Sequence, residues 1–150
     1  MLGYACINRH EGEGMQVSEG MSSVVLTVGP SHSLRDAARS MAERKVGAAV
    51  VMDPEQPGLG IVTERDILDS VGAGQNPDSE LVADHLSSNL TFAEPTWSLE
   101  RAAEAMVRGG FRHLVVVDGG ETVGVLSMRD IVRCWTGVGA SCEVPAHSAA

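Results

Sequence analysis

Two short stretches of the chain combine residue types that could do chemistry: Gly60-Ile61-Val62-Thr63-Glu64-Arg65-Asp66 and Gly124-Val125-Leu126-Ser127-Met128-Arg129-Asp130. Each places a hydroxyl three residues ahead of a carboxylate, directly after a pair of aliphatic side chains. Such a pattern marks a strand-to-helix junction, where unpaired backbone amides and the helix dipole favour an anion. The aspartate can accept hydrogen bonds from two vicinal hydroxyls, as on a ribose. The Thr or Ser hydroxyl, with neighbouring amides, can meet a sugar or phosphate oxygen. The same spacing also lets a helix cap itself, because a Thr or Ser oxygen accepts from an amide of the first turn. One copy alone leaves these readings level; recurrence in the same setting favours a ligand.

Other chemistries find less support. Cys134, Cys142 and His147, with Cys6 and His10, would form a zinc site only if the chain ends met, and no close pair has structural-zinc spacing. No serine stands in a nucleophile elbow and no Walker loop occurs. Glu19, Glu64, Asp66 and Asp69 are scattered over helix ends and form no evident acid–base pair. The expectation is a protein that binds and does not catalyse.

The elements that must position the two stretches repeat as well. Residues 17–53 lie on residues 82–118 at a constant offset of 65, which pairs Ser22-Ser23 with Ser87-Ser88 and Pro30 with Pro95. It also pairs Ser33-Leu34 with Ser98-Leu99, Ala37-Ala38 with Ala102-Ala103, Met41 with Met106, and Val50-Val51 with Val115-Val116. One extra residue in the first copy then changes the offset to 64, and the two Gly-to-Asp stretches coincide. This is a tandem duplication, and it decides the organisation before any single element does.

Within each copy a short strand (residues 24–28; 90–93) ends at Pro30 or Pro95, where ladder pairing stops. Ser33 and Ser98 are good N-caps, and Asp36 stands where a capping-box acid would. Leu34, Ala37, Ala38 and Met41 recur at helical spacing, as do Leu99, Ala102, Ala103 and Met106. The following strands, 46–52 and 111–117, are apolar without alternation, which predicts burial on both faces. Turns rich in Pro and Gly lead to third strands at 60–63 and 124–127, and closing helices at 65–71 and 129–135. The order β-α-β-β-α, used twice, predicts an α/β (α+β) architecture of two pseudo-symmetric halves. Met21, Met41, Met52, Met106 and Met128 are expected in the core, and His32 and Trp97 in local packing.

These units are expected at residues 15–72 and 81–136, joined by a polar linker at 73–80. Residues 1–14 and 137–150 fall outside the repeat and are expected to be flexible tails. The 150 residues allow one domain or two small lobes. A net charge of −9 argues against a general phosphate-neutralising surface for nucleic acid. The apolar runs are strand-sized, so no membrane span is expected, nor a secretory signal. Three cysteines do not make a disulfide framework, and a reducing cytoplasm is the expected setting.

The paired copies resemble tandem CBS motifs, the unit called a Bateman module. The resemblance rests on Ser33-Leu34-x-x-Ala37-Ala38-x-x-Met41, Val50-Val51-x-Asp53, Phe111 to Asp118, and the two Gly-to-Asp stretches. It spans residues 15–136; the family's usual proline before the paired valines is replaced by Ala49 and Leu114. What the resemblance implies is a regulatory module that senses adenosine compounds (AMP, ADP, ATP or S-adenosylmethionine), needs no other cofactor, and acts through a separate regulated protein. It implies crossed clefts, each built from both copies. Carried over by position, the first would use Thr63, Asp66, Leu90, Thr91, Arg112 and His113, with the last two facing phosphates. The second would use Ser127, Asp130, Val25, Leu26, Val46, Gly47 and Ala48. There Gly47-Ala48 replaces the basic pair, so that this cleft would take a monophosphate, an uncharged adenosyl group or nothing.

The resemblance also implies a homodimer joined through helical faces, with Ile67, Leu68, Val71, Ile131, Val132 and Trp135 as the apolar contact. The alternatives are a ligand-free dimerisation or scaffold module, and a stress-response protein that binds metal or senses redox state through the tail Cys and His residues.

Overall fold

A computed structural model describes residues 14–56 and 58–137. The expected order is present twice. In the first copy it runs β1 (Thr27–Val28), α2 (Leu34–Arg44), β2 (Ala48–Met52), β3 (Leu59–Thr63) and α3 (Glu64–Gly72). In the second it runs β4 (Phe92–Ala93), α4 (Leu99–Gly109), β5 (His113–Asp118), β6 (Glu121–Ser127) and α5 (Met128–Thr136). Each copy forms a three-stranded sheet, β1-β2-β3 or β4-β5-β6, with a parallel first pair and an antiparallel second pair. Each opening strand is only two residues long, shorter than expected. Conversely, β6 begins three residues early, because Gly119 and Gly120 adopt positive φ and close a two-residue hairpin between Asp118 and Glu121.

The middle strands are buried on both faces, as their unbroken apolar sequence requires. Ala49 and Val51 turn towards α2, where they pack with Leu34, Ala37 and Met41. Leu114 and Val116 do the same towards Leu99, Ala102 and Met106 of α4. Their neighbours Ala48, Val50 and Val115 point the other way, into a layer between the two sheets. Ser33 Oγ accepts from the Asp36 amide at 3.1 Å, and Ser98 Oγ from the Arg101 amide at 3.1 Å, so both expected caps form. Asp36 completes no capping box; its carboxylate accepts from the Ser33 hydroxyl.

Two opening segments depart from the expected element order. α1 (Val17–Gly20) and a 3-10 turn (Val82–Asp84) precede the first strand of each copy. Each crosses to the other copy. Val17 is buried in the core beneath α4, and Ser22 pairs with Val125 on β6. Val82 is buried in the core beneath α2, and Ser87 pairs with Ile61 on β3. The linker between the copies is tied down: Leu34 and Arg35 amides donate to the carbonyls of Glu80 and Pro77, and Arg35 forms an ion pair with Asp78.

Some apolar residues sit elsewhere than expected. Met41 and Met106 are buried, but Met52 and Met128 are exposed, because both stand at element ends beyond the helix-covered core. Ile131 is buried and Ile67 packs on the core, whereas Leu68, Val71, Val132 and Trp135 remain exposed on the closing helices. No helix among the described residues is long and apolar enough to cross a membrane.

Candidate functional site

Thr63 ends β3 and caps α3. Its backbone amide and its hydroxyl both donate to Oδ2 of Asp66, at 2.7 and 2.8 Å, while the Asp66 amide points back at the Thr63 hydroxyl. Ser127 and Asp130 repeat this arrangement at β6–α5, with amide and hydroxyl 2.8 and 2.6 Å from Oδ2 of Asp130. The capping reading of the motif is therefore realised in both copies. It does not exhaust the first one. Oδ1 of Asp66 has no hydrogen-bond or ion-pair partner among the described residues, whereas Oδ1 of Asp130 is held by Arg133 at 2.9 Å. Asp69 stands where Arg133 has its counterpart, so the first copy has no such clamp.

The crossing of the copies builds a cleft of about 870 Å³ that Asp66 lines. Thr63, Asp66, Leu90, Thr91, Arg112 and His113 all line it, which brings together all six residues assigned to the first cleft. Glu64, Leu68, Ser87, Asn89 and Phe111 are among the other lining residues and were not singled out for it from the sequence, although Glu64 lies within the motif itself; Arg65 beside it lines the cleft too. Arg112 enters β5 and fixes the register of the next copy of the motif, its carbonyl accepting from the Met128 amide at 2.8 Å. Gly47 has the same role in the first copy, its carbonyl accepting from the Glu64 amide at 2.9 Å.

His113 is half-buried and lines the cleft. Burial pushes its imidazole below the usual histidine value; the Glu64 and Asp130 carboxylates pull it back up, and Arg112 lowers it further. A methyl group on Gly47 would lie 3.2 Å from Cε1 and Nε2 of His113 and 3.2 Å from the Glu64 carboxyl carbon. The glycine thus leaves room for both side chains at one spot.

The second set of residues does not converge in the same way. The Leu26 side chain is buried beneath α2 and Ala48 between the sheets, while Val46 is exposed. Val25 lines a different recess of about 1170 Å³ at the opposite end of the sheets, beside Met52, Phe92, Trp97 and Val117. Gly47 faces the imidazole of the first cleft. Trp97 packs on the second core under the Arg101 guanidinium, 3.8 Å from its ring centre, and His32 accepts from the Gly29 amide at 2.8 Å. Cys134 packs on the same core, and no group of three or more His, Cys, Asp or Glu among the described residues could hold a metal. Cys6, His10, Cys142 and His147 lie outside the described residues.

A repeated β-α-β-β-α unit whose two copies exchange opening segments and share a cleft is the architecture of a paired-motif module. Residues 16–73 and 82–137 each match the model of the CBS domain, and the chain belongs to that family. It is 35% identical over 120 residues to the CBS domain-containing protein YhcV of Bacillus subtilis, covering 77% of this chain and 81% of that one. The fold matches a putative signal-transduction protein with CBS domains from Burkholderia ambifaria, with a TM-score of 0.77 and 26% identity over 86% of this chain and 99% of that one. It also matches the CBS domain protein PAE2072 of Pyrobaculum aerophilum complexed with AMP, with a TM-score of 0.68 and 33% identity over 77% and 89% of the two chains. Other relatives are longer: the chain spans 62% of a Methanopyrus kandleri protein and 20% of a CBS domain-containing protein of Arabidopsis thaliana.

Proposed function

We propose that this CBS pair is a non-catalytic regulatory sensor that binds one adenosine nucleotide in the first cleft. The observation that carries the reading is that Asp66, whose Oδ1 is free among the described residues, lines a cleft whose other wall brings Arg112 and His113 from the second copy. Oδ1 would accept from the ribose hydroxyls, and Arg112 would donate charge-assisted hydrogen bonds to phosphate. The AMP complex of the Pyrobaculum relative supports the ligand class. In the second copy, Arg133 already occupies the corresponding oxygen and no basic pair stands opposite, so that site stays unfilled by nucleotide.

Because the cleft takes walls from both copies, a bound nucleotide would favour one relative orientation of the halves, and the signal would pass to a separate regulated protein. The size of that shift is limited by the difference in ligand affinity between the two orientations. We also infer a homodimer held through the exposed apolar residues of α3 and α5, and a cytoplasmic setting.

Calorimetric titration with AMP, ADP, ATP and S-adenosylmethionine tests the sensor. Asp66→Asn keeps an oxygen for the Thr63 cap but turns the outward acceptor into a donor. It is expected to weaken binding by about 10- to 100-fold, the loss of hydrogen bonds to a charged group. Asp130→Asn is expected to leave affinity within a factor of about three. The reverse pattern would assign the ligand to the second copy, and no binding of any of the four compounds would leave a scaffold module as the better reading.

A further inference from the structure

Glu64 and Arg65 are the charged cleft residues that the proposed ligand contacts do not use, and Glu64 is the one that lies beside His113. Its amide is anchored to the Gly47 carbonyl, which holds α3 against the start of β2. Its carboxyl carbon and the His113 imidazole both lie 3.2 Å from the same point above Gly47, so they are no farther apart than twice that distance. Glu64 has no ion-pair or hydrogen-bond partner through its side chain among the described residues, and the side chain is exposed and free to turn. The arrangement has no twin. Met128 stands at the position of Glu64 in the second copy, and Ala48 at that of His113.

From this juxtaposition we infer that Glu64 is a specificity-determining residue: its carboxylate beside His113 limits the number of phosphates the cleft accepts and favours a nucleoside monophosphate over a triphosphate. The inference rests on the nucleotide reading above. The formally charged side chains of the cleft are Arg65 and Arg112 against Glu64 and Asp66, which balance. His113 adds no positive charge at neutral pH, since burial and Arg112 disfavour its protonated form and outweigh the pull of Glu64 and Asp130. A single phosphate can be met by Arg112 alone. Each further phosphate adds negative charge to a site with no excess cation, beside a Glu64 carboxylate that has no partner among the described residues to neutralise it.

Calorimetric titration of wild type and Glu64→Gln with AMP, ADP and ATP, at low salt and at high salt, tests this. The glutamine has the same size and leaves the backbone anchor intact. The expected result is a gain of about tenfold in ATP affinity with AMP changed less than about threefold, and a smaller gain at high salt, where exposed charges are screened. An AMP-to-ATP affinity ratio that stays the same in Glu64→Gln overturns the inference while leaving the sensor intact. Absence of binding by both proteins overturns the sensor reading and this one together.

Discussion

A hydroxyl and a carboxylate three residues apart have two uses, and the two copies of this motif divide them. Both aspartates spend Oδ2 on the helix cap, but only Asp66 keeps its other oxygen open, because Arg133 has no basic counterpart at Asp69. The cap positions the residue; the free oxygen gives it something to offer. His113 carries a consequence for pH at the same scale. Its folded pKa lies below its ordinary value of 6.5, so the unfolded chain binds the proton more readily. The associated stability is complete above about pH 6.5, the unfolded value, and is lost as pH falls through the lower folded value. Urea unfolding of wild type and His113→Gln at pH 7.5 and pH 5.5 should show the smaller acid-side loss in the glutamine variant. An equal loss in both would mean that His113 is not buried as described.

At the scale of elements, the glycine that opens each motif has a packing reason. A Cβ on Gly124 would lie 2.8 Å from the Ser22 carbonyl and 2.7 Å from Met21 Sδ, where the segment after α1 runs across β6. At Gly60 the nearest atom is Cδ1 of Leu86 at 2.9 Å, the tip of a side chain that can turn away. Gly124→Ala is therefore expected to cost about 1–3 kcal/mol and Gly60→Ala less, read as the shift in urea midpoint. Equal costs would exclude backbone contact as the cause. The two-sided burial of the middle strands and the helix faces of Leu34 and Leu99 were legible in the sequence because their spacing carries the information. The six residues assigned to the first cleft do line one pocket, but their grouping came from the family resemblance and not from any spacing in the repeat. The crossing of α1 was not legible. Val17 stands between polar residues and Val82 in the short run Leu81-Val82-Ala83, and neither has a period to say which sheet it covers. The clamp on Asp130 was hidden for a similar reason, since Arg133 looks like any solvated helix arginine until the fold brings it round.

For the whole molecule, the surface left over by the fold is apolar where two copies of the chain could meet. Leu68 is 62% exposed on α3 and Val132 51% exposed on α5. Substituting both by lysine should convert the proposed dimer to monomer in sedimentation equilibrium with the far-ultraviolet dichroism unchanged. A wild-type chain that sediments as a monomer, or a double variant that keeps its mass, would rule the closing helices out as the interface. The strong negative charge acts at this scale too: a nucleotide bound as proposed would enter against the field of the whole protein, so its association should speed up as salt is added. The exchanged opening segments bear on ancestry. A gene shortened back to one copy would encode a chain missing a piece of its own core and carrying a piece of an absent one. Once the two halves traded Val17 for Val82, they were free to diverge in cleft chemistry, as Arg112-His113 and Gly47-Ala48 have, but no longer free to part.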